Sequence, residues 1–153
     1  MNQFPVLLVE DDENDVEFMR YAWKKEAIPN PLHVVTDGQM AQEYLSGSGQ
    51  YADRDTHPLP CFVLLDLNMP YLNGFEVLEW IRKQDQFRTL PVAVLTASSA
   101  DTDARKAYAL MANSYVIKPS SPDRLREFVT SARAYWMGWN YAPPCTAPLS
   151  KSL

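Results

Sequence analysis

The sequence predicts a doubly wound α/β fold: a five-stranded parallel sheet in the order 2-1-3-4-5, with helices on both faces. Three observations predict it. Five short runs are apolar throughout instead of alternating, which is the pattern of strands buried on both sides. Amphipathic stretches of helical period separate them. The polar residues that stand out fall just past the carboxyl ends of those runs, where open α/β sheets bind ligands. With 153 residues and 46% apolar content, the chain has the length of one domain and enough apolar mass for a core.

Val6-Leu7-Leu8-Val9 is the first strand, and it stops at Glu10-Asp11-Asp12. A helix follows, capped by Asn14 with Glu17 completing a capping box. Val16, Met19, Trp23 and Ala27 share its inner face, and Pro29 and Pro31 end it. Leu32 to Thr36 is the second strand, and Asp37-Gly38 turns the chain into a helix from Gln39 to Leu45. Residues 46–58 are polar, turn-rich and aperiodic, which reads as a surface loop and a tolerated insertion.

Cys61 to Leu65 is the third strand; it ends at Asp66, and Pro70 forbids further ladder pairing. Asn73 caps the third helix, with Val77, Leu78 and Ile81 inward. Pro91 opens the fourth strand, Val92 to Leu95, and the fourth helix covers Thr102 to Leu110. Asn113 serves a turn before the fifth strand, Ser114 to Ile117, which ends at Lys118-Pro119. Ser121-Pro122, a cap followed by proline at the first helical position, starts the last helix. Leu125, Phe128, Val129, Ala132 and Trp136 keep its spacing. Residues 1–138 are thus expected to form one domain, and 139–153 a flexible tail with no output domain.

A net charge of -5 argues against a nucleic-acid surface. No apolar run approaches membrane-spanning length, and no basic leader precedes an apolar stretch. The two cysteines, Cys61 and Cys145, lack CxxC spacing, so a reducing cytoplasm is the expected compartment. His33 and His57 have no metal-like spacing and read as surface residues. Trp139 and Tyr141, past the helical stripe, are candidate interface aromatics.

The chemistry gathers at strand ends: Glu10 and Asp11 after the first, Asp66 after the third, Thr96 after the fourth and Lys118 after the fifth. Three clustered carboxylates raise one another's pKa, and a hard cation such as Mg2+ relieves them. A carboxylate so placed can attack a phosphoryl group, with Thr96 and Lys118 holding its oxygens.

In order and spacing, Leu8-Val9-Glu10-Asp11, Asp66-Leu67-Asn68-Met69-Pro70 with Gly74, Thr96-Ala97 and Tyr115-x-x-Lys118-Pro119 resemble the receiver domains of two-component response regulators. The resemblance spans Val6 to Trp136 and implies the flavodoxin-like, CheY-like fold. It implies that Asp66 accepts phosphate from a sensor histidine kinase. Asp11, Asp66 and the main-chain carbonyl of Asn68 would ligate Mg2+, with Glu10 acting through a water. Thr96 and Lys118 would bind the phosphoryl group, beside which the small Ala97 leaves room. Tyr115 would be the aromatic switch that turns inward as Thr96 moves. Many members have glycine where Met111 sits; a bulky residue disfavours a left-handed helix end, so a different arrangement is expected there.

The long loop before the third strand, Glu76-Val77-Leu78 and the aromatic end of the last helix resemble receivers paired with bacterial phytochromes or other hybrid sensor kinases. That resemblance implies a homodimer through the fourth helix, fifth strand and fifth helix. Two other functions fit parts of the pattern. An aspartyl-phosphate phosphohydrolase would want an acid two residues after the nucleophile, where this chain has Asn68. A pseudo-receiver that binds without taking phosphate would have no use for the intact acids, Thr96 and Lys118. The chain is expected not to be an enzyme beyond promoting its own phosphorylation and dephosphorylation.

Overall fold

The computed structural model describes residues 4–141; the expectations for the rest of the tail and for Cys145 lie outside the described residues. The strands β1 (Val6–Val9), β2 (Leu32–Val35), β3 (Phe62–Leu65), β4 (Val92–Thr96) and β5 (Ser114–Ile117) form one sheet in the order β2-β1-β3-β4-β5. All pairings are parallel. Alternate strand residues feed two cores, one on each face. Leu7, Val9, Val63 and Leu65 pack under α2 (Gly38–Ser46), α3 (Gly74–Lys83) and α4 (Asp101–Ala109), against Leu45, Val77, Ile81 and Ala107. Val6, Leu8, Phe62 and Leu64 pack under α1 (Glu13–Lys25) and α5 (Pro122–Ala134), against Met19, Trp23 and Val129. The central strands β1, β3 and β4 are buried along their whole length, which is why they carry no polar residue until their carboxyl ends.

Register aligns those ends. Val9 lies beside both Val35 and Leu65, Leu65 beside Val94, and Thr96 beside Ile117. The residues that follow therefore emerge along one edge of the sheet.

Several local expectations are corrected. Asp12, not Asn14, caps α1: its Oδ1 accepts from the amides of Asn14 (2.8 Å) and Asp15 (3.2 Å). The first helical turn begins two residues earlier than the capping-box spacing implied. Ala22 fills the inner face of α1 in place of Ala27, which lies beyond the helix end at φ 49 and is exposed.

Residues 46–58, expected to be a tolerated surface insertion, are instead tied into the core. A 3-10 turn over Gly49–Tyr51 buries the Tyr51 ring 5.1 Å from the rings of both Tyr44 and His57. The Arg54 guanidinium donates to the carbonyls of Tyr44, Leu45 and His57, closing the carboxyl end of α2. His57 is accordingly half-buried in an aromatic cluster, and His33 stands 5.8 Å from the Tyr44 ring; neither is a plain surface residue.

Met111 adopts the left-handed conformation that its bulk disfavours, at φ 69. Arg82 over-determines it, with Nε and Nη2 donating to the Met111 carbonyl at 3.0 and 2.9 Å. Nη2 also donates to Asn113 Oδ1, which accepts the amide of Val92 as well. The turn expected of Asn113 is thereby tied to the start of β4. After α5, winding continues through a π-helical turn, Tyr135–Trp139, where Trp136 stacks on Phe62 at 5.1 Å while Trp139 and Tyr141 stay exposed.

Candidate functional site

Glu10, Asp66 and Lys118 each stand one step past a strand with the amide still in the ladder, and Thr96 is the last residue of β4. The Glu10 amide donates to Val35 O (3.1 Å), that of Asp66 to Val9 O (3.1 Å), and that of Lys118 to Thr96 O (2.7 Å). These bonds tie the end of β1 to those of β2 and β3, and the end of β5 to that of β4. Gly74 sets the depth of the pocket floor: its amide donates to Leu67 O, and a Cβ there would lie 2.2 Å from the Asp66 carbonyl oxygen. Only a residue without a side chain lets α3 start so close to the loop that carries Asp66.

Glu10, Asp11 and Asp66 each direct a carboxylate oxygen to a common point, all within 4.8 Å of one another. Glu10 is 2% exposed and Asp66 4%. Burial, with the charge of Asp66 adding to it, pushes the Glu10 carboxyl up to about 7 despite its bond to Lys118. The Lys118 Nζ lies 2.7 Å from Glu10 Oε2, 2.7 Å from Asp15 Oδ2 and 3.1 Å from Asp66 Oδ2. Burial opposes its charge, but these carboxylates together hold the ammonium above the usual lysine value. One ammonium facing Glu10, Asp11, Asp15 and Asp66 leaves the pocket acidic. The donor set is all oxygen, which suits a hard divalent cation such as Mg2+ and does not suit softer metals.

The remaining candidates ring this cluster. The Asn68 amide donates to Asp66 Oδ1 at 3.2 Å, and its Nδ2 reaches Thr96 Oγ1 at 3.4 Å. Thr96 is fully buried, and its Oγ1 also accepts the Ser98 amide. Ala97 follows it at the exposed rim. The Tyr115 hydroxyl donates to the Ser98 carbonyl at 2.9 Å, so it is joined to the same loop one step further from the acids. Ser98 Oγ in turn bonds Asp103 Oδ2 of α4 at 2.6 Å.

Sequence reasoning missed Asp15. A usable signal was present: side chains on a helix lean toward its amino end, so an acid in the first turn after Asp12 points back to the strand end that launched the helix.

The family model for the response regulator receiver domain matches residues 6–130. The chain is 38% identical to the probable methanogenesis regulatory protein FilR2 of Methanothrix harundinacea, over 92% of this chain and 88% of that protein. It is 33% identical to response regulator Rcp1 of Synechocystis sp., over 86% of this chain and 88% of that one. Rcp1 has been crystallised in a Mn2+-bound form, which superposes with a TM-score of 0.81 at 31% identity, covering 92% of this chain and 99% of that one. The phosphorylated cyanobacterial phytochrome response regulator RcpA superposes with a TM-score of 0.84 at 31% identity, covering 92% of this chain and 98% of that one.

Proposed function

The chain belongs to the response regulator receiver domain family, and on that premise we propose that it takes a phosphoryl group on Asp66 from a sensor histidine kinase. The observation that carries this reading is the meeting of the Glu10, Asp11 and Asp66 oxygens within 4.8 Å, with Lys118 beside them. An Asp66 carboxylate oxygen attacks phosphorus, the phosphorus–nitrogen bond of the kinase phosphohistidine breaks, and the imidazole leaves with the electron pair. Asp11, Asp66 and the Asn68 carbonyl would hold Mg2+ directly, and Glu10 through a water. Bound there, Mg2+ would neutralise charge on the acids and on the transferred group. Thr96 and Lys118 supply a hydroxyl and an ammonium to the phosphoryl oxygens, and Ala97 leaves them space. Asn68 holds the position where an aspartyl-phosphate hydrolase would carry its acid, which favours a persistent acyl phosphate over turnover.

Movement of Thr96 toward the phosphoryl group would pull on the Ser98 loop, to which Tyr115 is bonded. Tyr115 then passes the change to α4 and β5. Output goes through protein contact, with the receiver spanning 1–138 as a cytoplasmic domain. Tyr108 on α4, Met111 just beyond it, Ile117 on β5 and Tyr135 just past α5 are exposed, and supply apolar surface for a homodimer there. Similarity to RcpA supports a bacterial phytochrome as the kinase.

The test is incubation with acetyl phosphate and Mg2+. A base-labile acyl phosphate is expected in the native chain and none in Asp66→Asn. Labelling that persists in that variant overturns the reading, and sustained hydrolysis of phosphorylated metabolites would favour the hydrolase.

A further inference from the structure

Asp15 lies outside the set of residues assigned to metal or phosphate, yet it makes one of the two shortest contacts to Lys118. We infer that Asp15 is a positioning residue that restrains phosphorylation: it holds the Lys118 ammonium in the unphosphorylated site and releases it when a phosphoryl oxygen arrives. The inference rests on the reading of Asp66 as phosphoacceptor.

A lysine ammonium has three N–H donors. In this site Glu10, Asp15 and Asp66 face all three, at 2.7, 2.7 and 3.1 Å. A phosphoryl oxygen gains a donor from Lys118 only by displacing one of these carboxylates. Glu10 and Asp66 are poor candidates for release. Both are buried at strand ends, and each has its other oxygen held by a main-chain amide, that of Asp12 for Glu10 and that of Asn68 for Asp66. The Asp15 side chain is 39% exposed, on the first turn of α1. It borders a cavity of about 250 Å3 that also contacts Phe18, Met19, Pro119 and Leu125. Its carboxylate can rotate into that space and be hydrated, so the Lys118–Asp15 bond is the one that breaks at least cost. Removing the charge of Asp15 weakens the bond, because a charge-assisted hydrogen bond is stronger than a neutral one.

The experiment is the rate of phosphorylation of the full chain by acetyl phosphate at saturating Mg2+. In this step Asp66 bonds to phosphorus while the bond from phosphorus to the acetate oxygen breaks, and acetate leaves with the electron pair. Asp15→Asn is expected to react about 2- to 5-fold faster, the size that a partly exposed ion pair supports. Asp15→Ser, which also removes the charge, is expected to show the same gain, and Asp15→Glu to return to the native rate. A merely structural role gives no gain in rate and no rescue. If the native chain is labelled on Asp66 but the charge-removing variants react at the native rate or slower, the inference falls alone. If Asp15→Glu is as fast as Asp15→Asn, it also falls alone. If the native chain takes no label, or Asp66→Asn keeps it, the receiver reading falls and the inference with it.

Discussion

Gly74→Ala tests the link between the fold and the site. The added Cβ would stand 2.2 Å from the Asp66 carbonyl oxygen, 2.7 Å from Leu67 Cα and 2.9 Å from the Asp66 carbonyl carbon. All three are main-chain atoms, so no side chain can swing aside. Cβ atoms essentially never come closer than 3.0 Å to such atoms, so the loop and the start of α3 must separate by at least 0.8 Å. Forcing one methyl into a packed position costs about 1–3 kcal/mol, and the rigidity of this contact places the variant near the upper end. The displaced segment carries Asp66, and a misplacement of about 1 Å at a reacting group can lower a rate by about 100-fold. Urea unfolding and the acetyl phosphate rate read the two effects separately. Native stability together with a native phosphorylation rate in Gly74→Ala would refute the claim that this close approach sets the position of Asp66.

Three further substitutions probe other parts of the account. Met111→Gly relieves a left-handed residue whose side chain is 64% exposed, so it should raise stability by about 1 kcal/mol, seen as a higher melting temperature; a lower one contradicts the strain. Tyr51→Ala removes a buried ring and should destabilise the chain by about 3 kcal/mol, whereas a change near zero would restore the reading of residues 46–58 as a tolerated insertion. His33 has its pKa lowered by burial and by the nearby charge of His57, so it binds fewer protons folded than unfolded. Its contribution is then lost as pH falls through about 6.5, the unfolded value, and His33→Gln should lose less stability than the native chain between about pH 7 and about pH 5.5. Equal losses in both chains contradict that assignment.

The sheet was legible because Val6–Val9, Phe62–Leu65 and Val92–Thr96 are buried on both faces and therefore apolar up to their carboxyl ends. The pocket was legible for the same reason: Glu10, Asp66 and Lys118 break those apolar patterns at strand ends, and parallel register brings the ends together. What escaped depends on contacts between segments distant in sequence. Asp15 acquires its role from Lys118, 103 residues away. Tyr51 is buried because Tyr44 and His57 accept it, within a stretch whose composition is that of a loop. The Met111 backbone follows Arg82, 29 residues earlier, and not its own preference. The cap of α1 was missed by two residues because Asp12 and Asn14 both suit that position, and only the path of the chain out of the site selects the first.

The most direct test of the central claim is to find which residue carries the phosphate. The chain would be treated with acetyl phosphate and Mg2+, reduced with borohydride to convert an acyl phosphate to an alcohol, and mapped by peptide mass spectrometry. Homoserine is expected at position 66 and at no other acidic position of the cluster. Reduction at Asp11 or Glu10, or stable phosphate on Ser98 or Thr96, would contradict it.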